Sequence, residues 1–164
     1  MKFKNKIEPP KRESYPVVEE GDYHLFLADA EPKVNNGTGT AQVLCRFKGK
    51  GISIIQGFWY THGNPKAQEI GRSMLGQIGG STNVGAYDDT DEVSNRWFKA
   101  HVTVEKYNNR DQNRIHYFID PDWTCVVPVV YDSNGKIKSF EDALAEAQSA
   151  PGPGSPDPED DVPF

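Results

Sequence analysis

The chain has 164 residues, a formal net charge of −6, 36% hydrophobic residues and 11% aromatic ones, which leaves room for one domain of about 130 residues beside a tail. All 18 Lys and Arg lie within residues 1–140, whereas residues 141–164 carry seven acids and no base, so the acidic total belongs to the tail and a near-neutral body is free to hold a basic face. No apolar run approaches the roughly 18 residues of a membrane helix, and two cysteines, Cys45 and Cys125, without Cys-x-x-Cys or His-x-His spacing predict neither a zinc site nor a disulfide framework.

Residues 1–20, with Pro9, Pro10 and Pro16 among mixed charges, predict an extended arm. Its basic start, Met1–Lys6, lacks the apolar stretch of a signal peptide, and a cytoplasmic protein with reduced cysteines is expected. Tyr23–Glu31 predicts a first strand, Pro32–Gly39 a flexible loop and Ala41–Lys48 a second strand. Gly49-Lys50-Gly51 predicts a tight turn, because glycine takes positive φ at no steric cost, so Ile52–Tyr60 pairs back as a third strand. Asn64 suits an N-cap and Pro65 the first helical position. Ala67, Ile70, Met74, Leu75 and Ile78 then recur at helical spacing until Gly79-Gly80. The acids of Asp88–Glu92 sit in a loop, where they suit a cap or solvated turn better than a metal site. Trp97–Tyr107 predicts a fourth strand, Asn108–Asn113 a polar loop, Ile115–Ile119 a fifth strand, and Thr124–Tyr131 a sixth at an edge, given Pro128. Ser139 suits the cap of a short helix over Phe140–Ala147. Five strands with one helix between the third and fourth is the element order of an OB-fold, a mainly β, five-stranded Greek-key barrel. The expected organisation is an arm over 1–20, an OB-fold domain over 21–148 and a disordered acidic tail over 149–164, whose Gly, Pro and Ser content suits an unstructured linker.

Alternation along the fourth strand puts Phe98, Ala100, Val102 and Val104 on a core face and Trp97, Lys99, His101, Thr103, Glu105 and Tyr107 on the other. Rings interleaved with cations suit sequence-tolerant binding of single strands, since rings stack on bases while Lys and Arg follow phosphates. Arg46, Lys48, Lys50, Trp59, Tyr60 and Arg110 join Trp97, Lys99, His101 and Tyr107 in the candidate DNA-binding set. The chain has no phosphate-cradling glycine loop, nucleophile elbow or His-Glu-x-x-His. No catalytic residue, metal or cofactor is predicted.

The chain closes on Asp160-Asp161-Val162-Pro163-Phe164, clustered carboxylates followed by an apolar ring. This tip resembles the acidic end of bacterial and phage single-stranded-DNA-binding (SSB) proteins. The resemblance implies a body that binds and protects single-stranded DNA during phage replication or recombination in the host cytoplasm. It also implies a tip, Asp160 to Phe164, that recruits replication, repair or recombination enzymes. Over residues 31–123, Glu31-Pro32-Lys33, Gly37-Thr38-Gly39, Asn64-Pro65-Lys66-Ala67, Ile70-Gly71-Arg72, Asp89-Thr90-Asp91-Glu92-Val93 and Asn113-Arg114-Ile115 are similar to a family of small phage proteins encoded beside recombination genes. Two other readings are a DNA-mimicking inhibitor and a recombination-associated nuclease accessory. Self-association is left open.

Overall fold

The computed structural model describes residues 1, 2, 4–8, 16–121 and 127–149. Its strands are β1 (Gly21–Asn35), β2 (Thr40–Gly49), β3 (Ile52–Thr61), β4 (Arg96–Tyr107), β5 (Arg110–Phe118) and the short β6 (Val127–Pro128), with helices α1 (Pro65–Ser81) and α2 (Phe140–Ser149). The fold is mainly β. The antiparallel sheet runs in the order β3-β2-β1-β4-β5, and β6 adds to the start of β4. Alternation builds the main core: Leu25, Leu27, Phe47, Ile54, Phe58, Phe98, Val102 and Ile115 turn inward and are buried, the largest single source of stability in such a layer.

The sheet is open between its ends, β3 and β5, and no backbone ladder joins them among the described residues. The closed barrel expected from the element order is therefore not formed by backbone pairing. One side chain bridges the gap. Gln56, buried on the inward face of β3, donates from Nε2 to the Ile115 carbonyl at 3.1 Å and accepts from the Ile115 N–H at 2.8 Å. Its amide thus replaces one rung of a ladder, as a buried backbone pair requires. Helix α1 packs on both β3 and β5, and the Phe118 N–H donates to Gln77 Oε1 at 3.2 Å.

Asn64 caps α1 as expected, accepting from the Lys66 N–H at 3.0 Å. The helix does not stop at Gly79-Gly80 but continues to Ser81, and Gly71 and Gly79 within it serve close approach. A Cβ on Gly79 would collide with the Gly85 carbonyl, and one on Gly71 would collide with the Trp59 backbone. Strand β1 also outruns its expected end: Pro32 to Asn35 pair with β2 rather than forming a loop. Pro32 fits there because β4 pairs with β1 only over Gly21–Leu25, so its missing N–H faces an unpaired edge. Val104, expected in the core, is 41% exposed near the end of β4. The acids of Asp88–Glu92 form a capping box on a 3-10 turn over Thr90–Glu92.

A second, smaller core lies on the opposite face of the sheet. Phe26, Trp97, Val127 and Ala143 are buried there, with Ile137, Phe140 and Leu144 packed against them. Helix α2, capped by Ser139, and β6 cover this face. Cys45 is 1% exposed, and burial, followed by the charge of Asp29, pushes its thiol up to about 12. Cys125, residues 124–126 of the expected sixth strand and the tail from 150 onward lie outside the described residues. No helix among those residues is long and apolar enough to cross a membrane.

Candidate nucleic-acid interface

Residues opposed in an antiparallel register share a face of the sheet. The pairs Tyr107–Arg110, Glu105–Gln112, Thr103–Arg114 and His101–Tyr117 therefore line one outer face of β4 and β5. The turn between the strands is Asn108-Asn109, with φ of 50° and 60°. Two consecutive left-handed residues are the mark of a two-residue I′ hairpin, and this turn sets Arg110 opposite Tyr107. A register shift between His101 and Val102 then puts two residues, His116 and Tyr117, between the buried Ile115 and Phe118. Strict alternation from Ile115 would have turned Tyr117 inward. The bulge exposes it instead.

Tyr107 is 65% and Tyr117 43% exposed, and Tyr117 stacks on the His101 ring with centroids 4.9 Å apart. Lys99 and Arg110 have no ion-pair partner among the described residues, while Arg114 Nε lies 3.9 Å from Glu105. Tyr117 and Arg114 were missed by sequence reasoning: the bulge that turns Tyr117 outward leaves no local signal, whereas Arg114 follows plain alternation from the Asn108-Asn109 turn.

His101 sits between acids: Nδ1 is 2.8 Å from Asp22 and Nε2 is 3.6 Å from Glu20. The hydrogen bond to Asp22, more than any other contact, raises its pKa above the ordinary value. A raised folded-state value means the pair stabilises fully below about pH 6.5, and the contribution is lost as pH rises through the folded value. An NMR titration should place the His101 midpoint above that of the urea-unfolded chain. Asp22→Asn should bring it down, and an unmoved midpoint would remove the pair from this account.

The other expected residues are distributed more widely. Arg46 is committed within the sheet, donating to Asp29 at 3.0 Å and Glu31 at 3.1 Å. A phosphate would have to compete with these two carboxylates for its charge. Lys48 and Lys50 stand exposed at the β2–β3 turn. Trp59, half-buried and edge-on to His62, walls a groove of about 430 Å³ at the β3–β5 seam with Gln56, Arg114 and His116. Tyr60 turns away from Trp59, is 53% exposed, and carries the Arg72 guanidinium 4.6 Å above its ring. Trp97 corrects the expectation of a base-stacking ring. It is 2% exposed and packs edge-on to Phe26 at 4.8 Å in the second core. The signal for this was the set of spaced apolar residues Val127, Ile137, Phe140 and Leu144, a layer that needed a face to cover. The tip residues Asp160, Asp161, Val162, Pro163 and Phe164 lie outside the described residues.

No family model matches the chain, and no curated protein matches it.

Proposed function

We propose that this chain binds single-stranded DNA without strong sequence preference, on an OB-type sheet, as an SSB-like protein of phage replication or recombination. The observation that carries this reading is the outer face of β4 and β5, where Tyr107 and Tyr117 stand exposed among Lys99, Arg110 and Arg114. Exposed rings can stack on bases only where a base face is free of its neighbours, as in a single strand, and nearby cations follow any backbone. The strand order β3-β2-β1-β4-β5, with α1 between β3 and β4, supports an OB-fold cut between its third and fifth strands. Such folds are partly open Greek-key barrels that bind oligonucleotides on strands 2–3 and on the loops joining strands 1–2 and 4–5. The Asn108-Asn109 turn, flanked by Tyr107 and Arg110, corresponds to the second of those loops. In this reading the tip, Asp160 to Phe164, is the contact for a partner enzyme.

Titrating the full chain with fluorescent oligo(dT) and with duplex of equal length, across a range of salt, tests the proposal. The single strand should bind far more tightly, and each phosphate contact should contribute roughly −0.7 to the salt slope. A DNA mimic would bind neither. A nuclease would shorten the oligonucleotide once magnesium is added.

A further inference from the structure

The β2–β3 turn and the segment Lys136–Ser139 close around a second groove, of about 360 Å³. Its charged lining is Lys48, Lys50, Lys136 and Lys138, with no acid among the lining residues. The groove lies near the start of β4, because Gly49 pairs with Leu25, which pairs with Phe98. Tyr107 is nine residues further along that strand, about 30 Å at ~3.3 Å per residue. The groove is therefore separate from the tip of the β4–β5 hairpin.

Its walls are held in place. Lys48 stands opposite Phe26 in the register, and both project on the outer side of the sheet. Asp132 accepts from the backbone N–H groups of Asn134 and Lys136, each at 2.8 Å. The Lys138 N–H donates to the Val130 carbonyl at 2.9 Å. Ile137 packs into the second core, which turns the flanking Lys136 and Lys138 toward the groove. Lys138 is paired with Glu146. Lys48, Lys50 and Lys136 have no ion-pair partner among the described residues.

The wall also contains an unmet donor. Trp97 lines the groove, is 2% exposed, and its indole N–H has no acceptor among the described residues. A buried donor without a partner is costly and rare. Three unpaired ammonium groups and an orphan N–H share one need, a compact anion with several acceptor oxygens. We infer that this groove is a phosphate-binding site, which takes a phosphate group between Lys48, Lys50 and Lys136 and supplies the missing acceptor to Trp97. A phosphate fits better than a carboxylate because its tetrahedral oxygens can meet donors converging from different directions. A terminal phosphate adds a third free oxygen and a second negative charge that a strand diester lacks. The group has two sources, a free phosphate compound or the phosphates of a DNA strand.

The test follows the tryptophan indole N–H resonances of the full-length ¹⁵N-labelled chain, with Trp97 assigned by elimination from Trp59→Phe and Trp123→Phe. Sodium pyrophosphate and, separately, oligo(dT) are titrated in, and oligo(dT) anisotropy is recorded on the same samples. The Trp97 resonance should shift and saturate. Lys50→Ala, Lys136→Ala and Trp97→Phe should each weaken pyrophosphate binding about tenfold, the loss expected for a hydrogen bond to a charged group. Affinity is read for all variants by titration calorimetry, because Trp97→Phe lacks the indole probe. Saturation by pyrophosphate that oligo(dT) does not compete away identifies a free phosphate ligand. Saturation by oligo(dT) alone identifies a strand phosphate. A Trp97 resonance that neither ligand moves overturns the inference, even if anisotropy shows that oligo(dT) binds elsewhere. Wild-type pyrophosphate affinity in a folded Trp97→Phe reduces the groove to a charge patch and overturns it too. A site that holds pyrophosphate in a chain that ignores oligo(dT) keeps this inference and removes the single-strand reading.

Discussion

Gln56→Leu is expected to lower the free energy of unfolding by about 3 kcal/mol, since it strands two buried backbone groups at roughly 1–3 kcal/mol each. Leucine is close to glutamine in size, so the change leaves little cavity and isolates the hydrogen bonds. In the native chain the Gln56 amide satisfies both the N–H and the carbonyl of Ile115, which is 1% exposed. Without it the seam between β3 and β5 has only α1 and side-chain packing to hold it. Urea denaturation should show a lower midpoint at a similar slope, and a thermal scan a fall on the order of 10 °C. Gln56→Glu sharpens the test, because a carboxylate can accept from the Ile115 N–H but cannot donate to its carbonyl until protonated. That variant should regain part of the loss on acidification while Gln56→Leu does not. A Gln56→Leu protein as stable as the wild type would mean that the seam is held by other contacts.

The second large effect concerns binding. Replacing Tyr107 and Tyr117 together with alanine should cost about 3 kcal/mol of oligo(dT) affinity, on the order of a hundredfold in Kd, at ~1–3 kcal/mol per stacked base. Both rings are substantially exposed, so the double variant should fold normally and its melting temperature should change little. Tyr107→Phe and Tyr117→Phe keep the stacking surface and should keep most of the affinity. Arg110→Ala should weaken binding and flatten the salt slope, whereas the tyrosine variants should leave the slope nearly unchanged. This split separates rings that stack from cations that meet phosphate. Wild-type affinity in the double alanine variant would move the strand to another surface, such as the seam groove beside Trp59.

Local signals proved readable where they act over a few residues. Asn64 and Pro65 start α1, Gly51 takes positive φ in the β2–β3 turn, and Ser139 caps α2. Alternation along β4 correctly turned Phe98, Ala100 and Val102 inward. What escaped depends on partners distant in sequence. Arg46 pairs with Asp29 and Glu31, 17 and 15 residues away. Trp97 is buried by a layer that begins at Val127, and alternation alone cannot tell a solvated outer face from one that a later helix covers. Tyr117 depends on a bulge opposite β4, and α1 outruns its glycines despite their weak helical propensity, with Gly71 and Gly79 packed closely against Trp59 and Gly85. Gln56 left one usable sign, a long polar residue between Ile54 and Phe58 on an inward face, where a buried amide must have found partners.

The central claim is that a single strand lies along the outer face of β4 and β5, and photocrosslinking tests it most directly. A 5-iodo-deoxyuridine oligonucleotide is bound to the full chain, irradiated, and the adducts are mapped by peptide mass spectrometry. The account predicts adducts on Tyr107 and Tyr117 that unlabelled oligo(dT) competes away and an equal-length duplex does not. Specific adducts confined to other rings, such as Trp59 or Tyr60, with none on Tyr107 or Tyr117, would contradict it.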